Sequence, residues 1–81
     1  MEEVEVQKMI EDSLPESHVE VVDTRGSGDH FEILVVSDKF EGVPLLDRHR
    51  MIHSALGSQL GGPIHAVEIK AYTTEQRNNL S

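Results

Sequence analysis

Two short segments in the second half of the chain constrain its fold more than any others. In residues 40–50, Gly42 supplies a turn, Pro44 suits the first turn of a helix, and an Arg-His-Arg cluster follows. In the second segment, Ile64-His65-Ala66-Val67, a histidine opens a β-strand. The Gly-Gly-Pro sequence at 61–63 stops the helix between them. The two segments therefore predict a helix that leads directly into a strand.

Three helices are predicted along the chain. Residues 3–14 carry apolar side chains at i, i+3 and i+4 spacing, which is typical of an amphipathic helix. The middle helix runs to about Leu60, and Gly57 weakens its last turns. A capping box of Thr73 and Gln76 opens a short last helix. The predicted inner stripe of the middle helix consists of Leu45, Leu46, His49, Ile52, His53, Leu56 and Leu60.

Three strands are predicted between these helices. Residues 18–23 and 31–37 are joined by the glycine-containing turn 25–29 and form an antiparallel hairpin. The continuous apolar centre of residues 31–37 predicts a central strand that is buried on both faces. A right-handed crossover through the middle helix makes strand 64–72 parallel to strand 31–37. The order α-β-β-α-β-α predicts one α+β domain over residues 1–81, a sandwich in which helices cover a three-stranded mixed sheet.

The parallel pair of strands predicts where two histidines lie. His30 and His65 stand where these strands begin, and parallel strands begin at the same edge of a sheet. Neighbouring strands are about 4.8 Å apart, so two imidazoles there could reach a common metal such as iron, zinc or copper. In the alternative interpretation, His65 caps a strand edge and His30 is a turn residue.

The charge of the chain is negative and unevenly distributed. The net charge is −8, and residues 1–23 contribute −7 of it, from eight acidic residues and Lys8. An acidic domain repels phosphate backbones, which disfavours nonspecific binding to nucleic acid. Arg48 and Arg50 are the nucleus of a local basic patch in the second half.

The segments at 40–50 and 64–67 resemble the BolA family, and the resemblance covers roughly residues 17–77. It implies the same α-β-β-α-β-α architecture, which is related to class II KH domains, although this chain has no Gly-x-x-Gly loop of the KH type. It also implies a role in iron–sulfur cluster handling, in which the protein binds a monothiol glutaredoxin and shares a [2Fe-2S] cluster with it. The family is also assigned a second role, as DNA-binding transcriptional regulators.

The resemblance implies which residues would hold the cluster. The cluster histidine of the family corresponds to His65, and its second ligand comes from the loop between the first two strands. That ligand is a cysteine in one branch of the family and a histidine in another. Here Ser27 stands at the cysteine position, so the role passes to His30 or is lost. The glutaredoxin cysteine and glutathione supply the remaining ligands, and no cluster is expected in the isolated chain.

The Arg-His-Arg cluster has two interpretations. Together with Lys39, the residues Arg48, His49 and Arg50 form a candidate surface for a partner or for nucleic acid. Alternatively, His49 faces the sheet while the arginines pair with nearby acidic residues. His53, one turn after His49, is expected in the core.

Several function classes are disfavoured by what the sequence lacks. It has no cysteine, no Gly-x-Ser-x-Gly nucleophile motif and no phosphate-binding loop, so we expect no enzymatic activity. No apolar run is long enough to cross a bilayer. We expect a cytoplasmic protein, or an organellar one after removal of a transit peptide. It should be monomeric alone and heterodimeric with its partner.

Overall fold

The computed structural model describes residues 1–80 and confirms the predicted order of elements. Every predicted helix and strand is present, with bounds that differ by a few residues from those expected. The elements are α1 (Glu3–Ser13), β1 (His18–Asp23), β2 (His30–Val36), α2 (Leu45–Leu56), β3 (Ala66–Tyr72) and α3 (Thr74–Asn78), with short 3-10 turns at Asp38–Phe40 and Gly57–Gln59.

The three strands form one mixed sheet in the order β1-β2-β3. β1 pairs antiparallel with β2, with His18 opposite Val36. β2 pairs parallel with β3, from His30 opposite Ala66 to Val36 opposite Tyr72. The right-handed crossover rule therefore predicted the parallel pair correctly, and β2 is the central strand.

The hydrophobic core lies between the sheet and the helices α1 and α2. Phe31, Ile33 and Val35 of β2 are buried and pack against apolar side chains of both helices. Burial of each such side chain contributes about 1.5–3 kcal/mol to folding. The alternate residues Glu32 and Leu34 are only half-buried. The prediction that β2 is buried on both faces is therefore wrong. Although its sequence is largely apolar, alternate residues of β2 face the core and the more exposed face of the sheet.

The buried stripe of α2 differs from the predicted one. Ile52 and Leu56 are buried as expected, but Leu45 and Leu46 are 62% and 63% exposed, and His53 is exposed rather than in the core. Arg48 takes the position one turn before Ile52 and is only 6% exposed. The stripe thus begins with a buried arginine, whose guanidinium lies over the Phe40 ring and hydrogen-bonds to carbonyl groups.

Both ends of the predicted middle helix are set by local backbone chemistry. Pro44 precedes the first helical residue, and α2 ends at Leu56 because Gly57 adopts φ 55°, a left-handed conformation that favours glycine. The weakening predicted at Gly57 is confirmed as an end of the α-helix, and the extension of the α-helix to Leu60 is wrong. None of the helices within residues 1–80 is long and apolar enough to span a membrane.

Candidate metal-ligand site at the His30–His65 edge

The parallel register of β2 and β3 brings two histidines to one edge of the sheet. His30 opens β2 opposite Ala66, so His65, which immediately precedes β3, lies beside it. The centroids of the two imidazole rings are 5.3 Å apart, and the ring planes are inclined at 42°. The prediction that both histidines lie at the same sheet edge is confirmed.

The backbone of Asp29 ties the two histidine segments together. Its carbonyl oxygen accepts the N–H of His65 at 2.7 Å and the N–H of Ala66 at 3.2 Å. Asp29 immediately precedes His30, so the chain just before β2 is bonded to the chain just before β3. These main-chain contacts therefore hold the backbones of the two histidines side by side.

The loop that leads to His30 is held by the carboxylate of Asp23. That carboxylate accepts the backbone N–H groups of Gly26 and Gly28 at 2.8 Å each and that of Arg25 at 3.2 Å. Burial raises the pKa of Asp23, but the three backbone hydrogen bonds together lower it by more than burial raises it. The pKa of Asp23 therefore lies below the ordinary value. The ionised Asp23 therefore stabilises the loop conformation.

The start of the chain packs against the same loop. The amino group of Met1 donates to the carbonyl of Gly28 at 2.8 Å, and Glu3 accepts the N–H of Asp23 at 2.7 Å. A Cβ atom on Gly28 would lie 2.8 Å from the carbonyl oxygen of Met1, so this close approach requires glycine. The loop that precedes Asp29 and His30 is thus held both by Asp23 and by the first residues of the chain.

The side chain of Asp29 connects Ser27 to His30. One carboxylate oxygen, Oδ1, accepts the Ser27 hydroxyl and lies 2.9 Å from His30 Nδ1. The hydrogen bond from Ser27, followed by that from His30, holds the pKa of Asp29 at about 2, below the ordinary 3.8. Asp29 is therefore ionised at neutral pH.

The chemistry and spacing of the histidine pair fit a metal, but the chain supplies an incomplete ligand set. Two imidazoles on one tetrahedral metal, each with a nitrogen about 2.0–2.1 Å from it, place their ring centroids roughly 5 Å apart, close to the 5.3 Å between His30 and His65. Within residues 1–80, no group of three or more His, Cys, Asp or Glu side chains is arranged to hold a metal ion. The hydroxyl of Ser27 is engaged with Asp29. Any metal held here needs ligands from another molecule.

An open cavity adjoins His30 and gives such a molecule room to approach. Its volume is about 220 Å³. Its lining consists of Thr24, Arg25, His30, Phe31, Ala66, Val67 and Glu68. The cavity therefore gives access to His30 from the loop between β1 and β2 and from the beginning of β3.

The predicted partner surface of Lys39, Arg48, His49 and Arg50 is only partly a surface. Arg48 is 6% exposed. Its guanidinium donates to the carbonyl of Val43 at 2.8 Å, to the carbonyl of Ala71 at 3.2 Å and to Gln76 Oε1 at 2.7 Å. The inclusion of Arg48 in an exposed surface is therefore wrong, because its guanidinium is buried and its hydrogen bonds join α2 to the end of β3 and to α3.

The other three residues of that set remain candidates for a surface. Lys39 and Arg50 are exposed and His49 is half-buried. Arg50 lies 3.6 Å from Asp47, an exposed pair one helical turn apart. Such pairs contribute about 0–1 kcal/mol to stability. These side chains are therefore available for contacts.

Two residues that matter to the structure escaped the sequence reasoning. The turn prediction for residues 25–29 gives Asp29 no contact with His30, although a carboxylate next to a candidate ligand histidine is a signal that can be read from sequence. The packing role of Arg48 has a weaker signal, namely its i, i+4, i+8 spacing with Ile52 and Leu56.

Comparison with known proteins gives the family of the chain. The family model described as BolA-like protein matches residues 2–76. The chain belongs to the BolA family. The solved structure of a bolA protein homologue from Coxiella burnetii is 37% identical to this BolA-family chain, with a TM-score of 0.79 over 96% of this chain and 97% of the other.

Curated BolA relatives align with the chain over part of their own length. Human BolA-like protein 1 is 53% identical over 51 residues, which are 63% of this chain and 37% of the human protein. A relative from Escherichia coli strain K12, named DNA-binding transcriptional regulator BolA, is 42% identical over 55 residues, which are 68% of this chain and 52% of that protein. The match thus spans between a third and slightly over half of these BolA relatives.

Proposed function

We propose that this BolA-family protein is an accessory factor in iron–sulfur cluster handling. In this proposal it binds a monothiol glutaredoxin and contributes His65 and His30 to a shared [2Fe-2S] cluster. The observation that carries the proposal is the histidine pair at one sheet edge, with ring centroids 5.3 Å apart. Family membership supports the choice of partner and cluster.

The incomplete ligand set supports a shared cluster over a resident one. A [2Fe-2S] cluster takes four protein or thiol ligands, and the chain, which has no cysteine, offers two imidazoles here. The glutaredoxin cysteine and the thiol of glutathione would complete the set. Two histidines on one iron raise the reduction potential above that of an all-thiolate cluster, as in Rieske centres. The cluster would supply this electron-accepting chemistry when bound.

Mixing the chain with a cluster-loaded monothiol glutaredoxin tests the proposal. Size-exclusion chromatography should show a 1:1 heterodimer that carries visible absorption, while the isolated chain stays colourless and monomeric. Both proteins must elute together and retain iron and sulfide. A glutaredoxin that keeps its cluster as a homodimer, with this chain eluting separately and colourless, would rule the proposal out.

The second candidate function is DNA binding as a regulator of the BolA type. The name of the E. coli relative favours it, and Lys39 and Arg50 are exposed cations that could contact phosphates. The net charge of −8 opposes it, and the burial of Arg48 removes one of its cations from the surface. Submicromolar affinity for duplex DNA at about 0.15 M salt, lost when Lys39 and Arg50 are changed to Glu, would favour the regulator.

A further inference from the structure

The Asp29 carboxylate and the His30 imidazole form a hydrogen-bonded pair that goes beyond the ligand assignment. We propose that Asp29 is the positioning residue of His30: it holds the ring in the tautomer that carries its proton on Nδ1, so that Nε2 keeps the lone pair that a metal needs. The role of this tautomer in metal binding rests on the proposed function. The tautomer itself is a property of the isolated protein.

The distance and the chemistry of the pair determine the direction of the hydrogen bond. Asp29 Oδ1 and His30 Nδ1 are 2.9 Å apart. An ionised carboxylate has only acceptor oxygens, so the proton between these atoms belongs to the imidazole. In a neutral ring with its proton on Nδ1, the other nitrogen is unprotonated. Ligand histidines in metalloproteins commonly donate their second N–H to a carboxylate, which fixes the tautomer and raises ligand basicity.

The carboxylate is itself held in place, which makes it suitable for positioning. Ser27 donates its hydroxyl to the same oxygen, Oδ1, that faces His30. The backbone carbonyl of Asp29 is bonded to the N–H groups of His65 and Ala66. One residue thus contacts both histidine segments, His30 through its side chain and His65 through its main chain.

The same contacts give Ser27 a role although its hydroxyl is a poor metal ligand. Although it stands at the cysteine position of one family branch, its hydroxyl is directed to Asp29. Replacing the thiol by a hydroxyl therefore removes a ligand and adds a donor that orients the carboxylate beside His30. The loop functions as a unit of three side chains, Ser27, Asp29 and His30.

Nitrogen-15 NMR of the isolated protein tests the tautomer without any cluster or partner. Two-bond proton–nitrogen correlation spectra at about pH 8, where a histidine of ordinary pKa is neutral, distinguish the two tautomers of each ring. His30 should show the proton on Nδ1 in the wild type. Asp29→Ala should return it to the Nε2-protonated form that free histidine prefers. Asp29→Asn, which keeps an acceptor oxygen, should preserve part of the wild-type signature.

Two further variants keep the test interpretable. Asp12→Ala removes an exposed carboxylate from α1 and should leave the His30 signals unchanged. If Asp29→Ala does not fold, Ser27→Ala offers a milder change that should shift the His30 tautomer partially. Finding His30 protonated on Nε2 in the wild type, or finding no change in either the Asp29 or the Ser27 variant, would overturn the inference.

Cluster stability in the glutaredoxin complex gives the second readout. Loss of a hydrogen-bond partner behind a metal ligand typically weakens metal affinity about 10–100-fold, so Asp29→Ala should shorten the cluster lifetime by a similar factor. An Asp29→Ala complex that keeps the wild-type lifetime contradicts the positioning role. A wild-type chain that has the expected tautomer and takes up no cluster contradicts the proposed function and leaves the tautomer assignment intact.

Discussion

The N–H of His65 donates to the backbone carbonyl of Asp29 at 2.7 Å, and this bond holds the backbone of one candidate ligand beside that of the other. It joins the residue before β2 to the residue before β3. Because the contact is made by the main chain, it does not depend on the imidazole, and any residue other than proline at position 65 can make it. Variants of His65 therefore remove an imidazole without removing the bond that aligns the strands.

Replacing the histidines should separate ligation from folding. His65→Ala and His30→Ala should each shorten the cluster lifetime in the glutaredoxin complex, with His65→Ala costing most of the cluster stability. Decay of visible absorption after mixing measures this lifetime. His53→Ala is the matched control, because it removes an exposed histidine from α2. A lifetime that is unchanged in the His65→Ala complex would show that His65 is not a ligand.

Two glycines in the loop before His30 offer a matched test of the packing of Met1. Gly26 and Gly28 both have left-handed backbones, with φ of 72° and 75°, but only Gly28 lies against the Met1 carbonyl. Gly26→Ala should destabilise the fold by the backbone strain alone, about 1–2 kcal/mol. Gly28→Ala should cost clearly more, because the loop or the chain start must also move. Urea unfolding measures both, and equal losses would argue against the close approach.

Arg48 should behave as a core residue in stability measurements. Its guanidinium makes three hydrogen bonds in a buried setting, and bonds of charged groups contribute about 1.5–3 kcal/mol each. Such contributions are not additive, and single substitutions rarely cost more than about 4–5 kcal/mol, so Arg48→Ala should lower the free energy of unfolding by roughly 2–4 kcal/mol. Arg50→Ala, on the exposed side of the same helix, should change it by less than about 0.5 kcal/mol. Similar small effects for both would place Arg48 at the surface after all.

The pH dependence of stability should reveal the lowered pKa of Asp29. Its folded-state pKa of about 2 lies below the ordinary 3.8, so the ionised form favours the native state. This contribution is fully present above the unfolded-state pKa and is lost as the pH falls from about 4 towards 2. The difference in unfolding free energy between wild type and Asp29→Asn should shrink as the pH falls below 4.

The control for the Asp29 titration is Asp12→Asn, which neutralises an exposed carboxylate in α1. Its difference from wild type should not shrink over the same pH interval in the way expected for Asp29→Asn. A difference between wild type and Asp29→Asn that stays constant from pH 6 to pH 2 would contradict the lowered pKa.

The sequence was sufficient to predict the position of the histidine pair. A helix between two strands implies a parallel register, and that register alone places His30 and His65 at one edge. The hydrogen bond between Asp29 and His30 could not be predicted in the same way. It depends on side-chain torsions in a loop held by Asp23, and hydrophobic periodicity carries no information about such contacts.

The error at Arg48 has a different physical origin. Pattern reading assigns each residue type to the polar or the apolar class, and arginine counts as polar. The Arg48 side chain is nevertheless buried, with its guanidinium carbon 5.7 Å from the centroid of the Phe40 ring and its nitrogens bonded to carbonyl oxygens. The acceptors come from residues near positions 43, 71 and 76, which only the folded chain brings together.

The parallel pairing of β2 with β3 also determines when the candidate site can exist. His30 and His65 are 35 positions apart in the chain, and their contact requires α2 to be in place between the two strands. Closing a long loop loses chain entropy before any stabilising contact is gained, so we expect this contact to form slowly. An unfinished or partly unfolded chain therefore presents isolated histidines, and the paired ligands become available to a partner only once the last strand has joined the sheet.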